Sequence, residues 1–303
     1  MIDVTLIGTG GMIPLPNRFL SSCLIEYNGK SILIDCGEGT QVSLSKGKFS
    51  IRKIETILIT HCHADHITGL PGLLLSIGNN GRIEPLYIIV PRGGYKIINT
   101  LLVVCGFLPY EVIITELHET KPQTFEQIGL KITSIPLKHH INCLGYSLKL
   151  QLKPRFQPEK AKKLNIPVKL WSILHNGNSV QVNNNKITPE MVLGIPRKSI
   201  KISYVTDTRP TKHIKEIVKD SDLFICEGMY GNDEQYDNAV EKKHMLFSEA
   251  AKIALDANVT ELWLTHYSPS LKNPEEFINV AKNIFSNTVA GYDLMTTNLN
   301  SND

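Results

Sequence analysis

The sequence predicts an α/β fold in which two mixed β-sheets pack face to face with helices outside them, a four-layer αβ/βα sandwich. The first observation is that short apolar runs typical of buried strands alternate with helical segments, and the second half of the chain repeats this order. The second is that 303 residues, 42% of them hydrophobic, can bury one large core. We therefore expect a single domain over residues 1–303.

The first half of the chain begins with a meander of strands. Residues 2–8 alternate and then break at a glycine-rich turn, while 22–27 and 31–35 flank Asn28-Gly29, a dipeptide typical of hairpin turns. Further strands are expected at 55–60, 86–90 and 112–117, with helices at 73–77 and 93–104.

The second half repeats this pattern after one irregular stretch. Strands are expected at 130–136, 145–150, 199–206, 223–226 and 261–265, with helices at 244–256 and 274–283. Residues 151–190 are lysine-rich and poorly patterned, which predicts a protruding arm. The polar residues 296–303 are expected to fray.

Composition restricts the class of protein more than its activity. No apolar run approaches the length of a membrane span, and no secretory leader pattern is present, so we expect a cytoplasmic protein. The six cysteines lack paired spacings, which favours reduced thiols. A net charge of +3 permits a polyanionic partner without requiring one.

The strongest signal is the run Thr60-His61-Cys62-His63-Ala64-Asp65-His66, which directly follows an apolar strand. Three imidazoles and one carboxylate from one tight turn are donors that suit zinc. Cys62 lies between two candidate ligands, but adjacent side chains diverge, so we interpret it as a bystander.

Further donors follow later strands. His139, Asp207 and His266 each come after an apolar run, where an alternating fold gathers its loops at one edge. A single histidine of this kind is more often structural, but three such positions together favour a shared metal site. His140 competes with His139 for the same role.

These motifs identify a resemblance to the metallo-β-lactamase superfamily and, within it, to the ribonuclease Z family of endonucleases that mature the 3′ end of transfer RNA precursors. The resemblance spans nearly the whole chain. The matching segments are Gly8-Thr9-Gly10, residues 35–41 (DCGEGTQ), residues 60–74, Asp207-Thr208-Arg209, Leu264-Thr265-His266 and Tyr292-Asp293.

The resemblance implies two divalent metals, zinc by default, although manganese, cobalt or iron would also accept these donors. One metal would be held by His61, His63 and His139, the other by Asp65, His66 and His266, with Asp207 bridging both. His139 is preferred to His140 because its distance from Gly145-Tyr146 matches the family's spacing. Asp35 resembles the aspartate that supports ligand histidines.

The resemblance also assigns catalytic roles. Asp65 would position or deprotonate the attacking water, and His244, supported by Glu227, would protonate the leaving oxygen. Precursor transfer RNA is the implied partner, and a homodimer is the implied assembly.

Four segments depart from the family pattern. Glu227 is followed by Gly228-Met229 instead of Ala-Thr, and His244 by Met245-Leu246 instead of Ser-Thr. The loop at 14–19 lacks the family's lysine and asparagine, and residues 166–171 replace a glycine- and proline-rich arm tip. Two alternatives therefore stay open: a hydrolase of a small phosphodiester or another ester, and a non-catalytic metal-stabilised protein that binds RNA.

Overall fold

In a computed structural model of the chain, which describes residues 1–118, 120–183 and 185–300, two mixed seven-stranded sheets are flanked by helices. The described residues divide into two compact units, one formed by 1–149 and 201–300 and the other by 150–200. The arm expected at 151–190 falls within the second unit. The expected pair of mixed sheets with outer helices is confirmed.

The two large sheets belong to the first unit. The first sheet has the order β16-β1-β2-β3-β4-β5-β6 and the second the order β15-β14-β13-β12-β9-β8-β7. The first contains β1 (Ile2–Gly8), β2 (Ser22–Tyr27), β3 (Lys30–Ile34), β4 (Ile54–Leu58), β5 (Leu86–Pro91), β6 (Val112–Leu117) and β16 (Thr296–Leu299). The second contains β7 (Gln123–Gln127), β8 (Leu130–Pro136), β9 (Leu144–Leu150), β12 (Ile200–Val205), β13 (Leu223–Glu227), β14 (Leu262–Thr265) and β15 (Thr288–Ala290).

Each sheet is antiparallel on one side and parallel on the other. Strands β3 to β6 pair in parallel in the first sheet, as do β12 to β15 in the second. The sheets are joined near the ends of these strands, since Tyr146 Oη donates to the carbonyl of Ile59 at 2.7 Å and the Leu144 amide donates to that of Thr60 at 2.8 Å. The loops after the parallel strands are therefore brought to a common edge.

Helices cover the outer face of each sheet. The helices of the first unit are α1 (Thr40–Lys46), α2 (Ala64–Ile67), α3 (Leu70–Asn79), α4 (Gly94–Leu102), α7 (Lys212–Val218), α8 (Tyr236–Lys242), α9 (Phe247–Asp256) and α10 (Ile278–Lys282). Leu44, Leu73 and Ile98 from α1, α3 and α4 join one buried core on the first sheet. Ile214, Ala250 and Ile278 from α7, α9 and α10 join another on the second. Within the described residues no helix is long and apolar enough to cross a membrane.

The second unit has its own small core. It contains α5 (Pro158–Lys163), α6 (Trp171–His175) and a hairpin of β10 (Val180–Val182) and β11 (Asn185–Ile187). Trp171 packs on Phe156 with ring centroids 5.3 Å apart and donates to the carbonyl of Ile166 at 3.0 Å. Trp171 therefore stabilises this unit.

Two expectations from the sequence were wrong. Residues 296–299 do not fray but form β16, which pairs antiparallel with β1 from Ile2 to Thr5; residues 301–303 of the same expectation lie outside the described residues. The helix expected at 244–256 begins only at Phe247, so His244 lies in the segment before it. That difference matters for the site.

Candidate metal centre

The predicted ligands lie on loops at the carboxyl ends of strands. His61 and His63 follow β4, and Asp65 and His66 lie on the short helix α2. Asp207 follows β12, His266 follows β14, and His139 lies in the β8–β9 connection. A strand end exposes its next side chain at the sheet edge, and the contacts between the two sheets bring these edges together, so all seven side chains meet in one place.

Three imidazole nitrogens converge in one half of the cluster. His61 Nε2 lies 3.0 Å from His63 Nδ1, and His139 Nε2 lies 3.2 Å from the same atom. With one oxygen of Asp207 these atoms form a group whose members all lie within 4.8 Å of one another.

The other half is formed by Asp65, His66 and His266. His66 Nε2 lies 3.1 Å from His266 Nε2, and Asp65 Oδ2 lies 3.6 Å and 3.5 Å from these two nitrogens respectively. The three ligand atoms likewise lie within 4.8 Å of one another.

Asp207 faces both halves with different oxygens. Its Oδ2 lies 3.6 Å from His61 Nε2 and 3.8 Å from His139 Nε2. Its Oδ1 lies 3.3 Å from His66 Nε2 and 3.2 Å from His266 Nε2, and accepts the Thr206 hydroxyl at 2.6 Å. A carboxylate in this position can hold two ions at once.

These distances fit a metal better than a hydrogen-bond network. A proton on one of the three nitrogens around His63 can form only one hydrogen bond. The lone pairs on the remaining nitrogens would then face each other without a donor between them. Zn–N bonds of about 2.0–2.1 Å in tetrahedral geometry place neighbouring donor atoms about 3.3 Å apart, close to the separations here. The donor set therefore suits a divalent metal ion.

Asp35 orients the first ligands from behind. Its Oδ2 accepts hydrogen bonds from His66 Nδ1 and from the Thr60 hydroxyl, both at 2.8 Å. Its Oδ1 accepts a hydrogen bond from the Thr60 amide at 2.7 Å. That hydroxyl lies 3.1 Å from His61 Nδ1. Because Nδ1 of His61 and Nδ1 of His66 are engaged in this way, both of these imidazoles turn Nε2 towards the cluster.

The electrostatics of the cluster favour bound positive charge. Burial opposes charge on His66, but the carboxylates of Asp207, Asp35 and Asp65 raise its pKa well above the usual value. Burial opposes charge on Asp207 too, yet the surrounding histidines, His266 first, hold its pKa well below the usual value. Burial lowers the pKa of His139 to about 4, so this imidazole stays neutral at pH 7, as a ligand must.

His139 and His140 differ in position. The side chain of His139 is 2% exposed and its Nδ1 lies 3.3 Å from the Lys243 carbonyl, which leaves Nε2 free to face the cluster. His140 is exposed and belongs to none of the metal-binding groups found within the described residues.

His244 and Glu227 form a buried pair beside the cluster. His244 Nδ1 donates to Glu227 Oε2 at 2.9 Å, and Glu227 Oε1 accepts the Thr208 amide at 2.5 Å. Burial lowers the pKa of His244, but Glu227 outweighs this effect and raises it to about 9. His244 also lies near Asp207 and His266, with which it could form a third ligand group.

One contact at the site is made by the main chain and therefore could not be predicted from the types of side chain in the sequence. The main-chain amide of Met12 donates to Asp65 Oδ2 at 2.7 Å, and a Cβ on Gly11 would lie only 2.8 Å from the His266 ring. The glycine-rich run after β1 is thus the local signal for a backbone that approaches the ligands closely.

Comparisons with known proteins show what the chain is similar to. The family model described as "Anti-Pycsar protein Apyc1" matches residues 2–157, the half that contains five of the seven candidate ligands. A protein of Clostridium kluyveri named Ribonuclease Z is 50% identical over 301 residues, covering 99% of both chains. One of Clostridium acetobutylicum with the same name is 48% identical, covering 97% of this chain and 96% of its own.

Solved structures share the fold. Human tRNase Z, short form, superposes with a TM-score of 0.71 at 23% identity, covering 98% of this chain and 99% of its own. The metallo-β-lactamase fold protein YhfI of Bacillus subtilis gives the same TM-score at 19% identity, covering 98% and 100%. The αβ/βα sandwich expected from the sequence is therefore the metallo-β-lactamase fold.

Proposed function

Because the chain belongs to the ribonuclease Z family, we propose that its cluster of histidines and aspartates removes the 3′ trailer from precursor transfer RNA. Over residues 2–157 the chain also belongs to the family described as anti-Pycsar protein Apyc1. The observation that carries the proposal is 50% identity to a ribonuclease Z over 99% of both chains. An enzyme of this class is a metal-dependent endoribonuclease.

The metals we propose are two zinc ions per chain. Support comes from the two donor groups, His61, His63 and His139 on one side and Asp65, His66 and His266 on the other, with one oxygen of Asp207 facing each group. Zinc prefers such nitrogen and carboxylate donors in compact geometry, although manganese, cobalt and iron accept them as well. When bound, the ions supply Lewis acidity towards the phosphodiester and a water activated at neutral pH.

The chain's own residues divide the remaining work. Asp65 positions the attacking water, and the Met12 amide fixes its carboxylate through Oδ2. His244 protonates the 3′ oxygen that leaves as a hydroxyl, since Glu227 occupies its Nδ1 and leaves Nε2 for the substrate. Proton transfer of this kind contributes about 10²–10⁴-fold to a rate.

The partner surface for RNA includes basic residues of the second unit. Lys160, Lys162 and Lys163 on α5 are exposed, and phosphate contacts need only positive charge and reach. Such contacts would increase the affinity for transfer RNA without taking part in the cleavage reaction.

We further propose a homodimer formed through an apolar surface on the first sheet's helices. Val103, Val104 and Phe107, just after α4, are 75%, 70% and 88% exposed, and Tyr95 and Ile97 on α4 are 51% and 42% exposed. The concentration of exposed apolar side chains within residues 95–107 is the observation that supports an interface here. We place the protein in the cytoplasm, because all six cysteine thiols are free.

Two substrates test the proposed reaction. Purified protein is incubated with a precursor transfer RNA and with bis(p-nitrophenyl) phosphate, each with and without chelator. We expect chelator-sensitive release of the 3′ trailer and a new 3′ hydroxyl. Turnover of the small diester alone would contradict the proposal and favour a small phosphodiester as substrate, and RNA binding without cleavage would favour a non-catalytic role.

A further inference from the structure

The segment that presents the acid has no regular structure of its own. It follows α8, whose last turn ends at Lys243 in the left-handed conformation with φ 57°, and it precedes α9. His244 therefore lacks a helix to fix its orientation. It is held by its own amide, which donates to the Ala239 carbonyl at 2.9 Å, by Glu227, which binds its ring, and by side chains that bind the surrounding backbone.

Arg209 supplies much of that binding. Its Nη1 donates to the carbonyl of His244 at 2.5 Å and to Glu249 Oε2 at 2.8 Å, while its Nη2 donates to Glu249 Oε1. The side chains of Arg209 and Glu249 are only 12% and 18% exposed, so water competes weakly for these bonds.

Acidic side chains hold the neighbouring amides. Glu249 Oε2 accepts the Leu246 amide at 3.0 Å, and Glu227 Oε2 accepts the Met245 amide at 3.2 Å as well as the His244 ring. The backbone from His244 to Leu246 is thus bound by charged side chains. Arg209 is the cation that joins the His244 carbonyl to Glu249.

Arg209 also connects the acid to the metal ligands. It lies two residues after Asp207, and its own amide donates to the carbonyl of Lys138, next to His139, at 3.2 Å. A shift of this guanidinium would therefore change the distance between His244 and the ligands. Misplacement of a catalytic group by about 1 Å can cost about 10²-fold in rate.

We propose that Arg209 is a positioning residue for trailer removal, whose pairing with Glu249 holds His244 in the orientation that protonates the leaving oxygen. This inference rests on the proposed function. Arginine is required because its planar fork binds a carboxylate through two nitrogens and still donates to a carbonyl, whereas lysine is a point charge.

The leaving group separates positioning of the acid from a merely structural role. The 3′ oxygen of RNA needs a proton as it departs, but p-nitrophenolate is a stable anion and leaves without one. We expect Arg209→Lys and Glu249→Gln to slow single-turnover trailer removal by about 10–100-fold. Hydrolysis of bis(p-nitrophenyl) phosphate and metal content should stay unchanged.

A double variant completes the test. His244→Ala combined with Arg209→Lys should be no slower on RNA than His244→Ala alone, because both changes remove the same contribution. Lys252→Ala, an exposed neighbour on α9, is the matched control and should match wild type on both substrates.

Two results would overturn the inference: equal losses on both substrates, or losses on RNA that multiply in the double variant. A wild-type protein that hydrolyses the small diester but removes no trailer would instead overturn the proposed function. The two failures are therefore distinguishable.

Discussion

Asp35 Oδ2 lies 2.8 Å from Nδ1 of His66, and both side chains are fully buried. The two residues are 31 positions apart in the chain. They meet because β3 and β4 are parallel neighbours, so the segments that follow the two strands begin at the same edge of the sheet. This contact fixes the orientation of a candidate metal ligand through a residue that is not itself one of the proposed ligands.

Asp35→Asn should weaken metal binding without removing a ligand. An amide cannot accept all three hydrogen bonds with the strength of a carboxylate, and changes to partners of ligand histidines typically cost about 10–100-fold in affinity. Titration with a competing zinc chelator measures the change. Unchanged affinity would mean that His66 is oriented by its backbone alone.

His139→Ala and His140→Ala form a matched pair for the ligand assignment. His139 contributes a buried nitrogen to the cluster, whereas its neighbour is exposed. We expect the first variant to lose about half of its bound metal and most activity, and the second to retain both, as measured by elemental analysis of dialysed protein. The reverse result would make His140 the ligand.

Asp207→Ala should have a larger effect than the loss of one histidine. Its two oxygens face different halves of the cluster, so the variant removes a donor from both. We expect loss of both metals or of most activity, and a lower thermal midpoint in metal-containing buffer, because an ion that binds only the folded state stabilises it. Normal metal content with full activity would refute the bridging role.

Glu227→Gln should move the pH dependence of trailer removal. His244 must be protonated to act as an acid, so the rate falls as pH rises through its pKa, which Glu227 raises. Without that carboxylate the pKa drops, and the fall should begin at lower pH than in wild type. Bound cations would lower the pKa in both proteins, so the direction of the difference is the test. In His244→Ala, by contrast, we expect near-normal metal content with a slower rate, and a loss of bound metal in that variant would mean that His244 is a ligand.

Phe107→Asp should separate the proposed dimer. A charge at a position 88% exposed costs a monomer little but would be costly inside an apolar interface. Light scattering coupled to gel filtration should give one chain for the variant and two for wild type. Ile83→Asp is the matched control, because Ile83 is apolar and 72% exposed but lies outside the segment 95–107.

The strands and the clustered ligands could be predicted because their signals are local. A run such as 55–60 is apolar throughout and is followed at once by His61, so the strand and its site are read together. Strand β16 could not be predicted, since its polar residues are ordered only by pairing with β1 almost 300 residues away. The start of α9 was misplaced because distant Glu227 binds the Met245 amide and holds that residue outside the helix.

The second unit was also beyond prediction in detail. Its core is made of isolated residues such as Ala161 and Leu174 on one-turn helices, which leave no periodic pattern. Arg209 was recognised only as part of a motif, because its contact with Glu249 spans 40 residues.

The two sheets each supply part of the donor set, His61 to His66 from the first and Asp207 and His266 from the second. During synthesis, the first sheet's ligands leave the ribosome long before Asp207 and His266, and chains fold largely in the order they emerge. A nascent or truncated chain can therefore gather some donors but cannot bridge two ions. The complete donor set would thus exist only once residues up to His266 have been synthesised and folded.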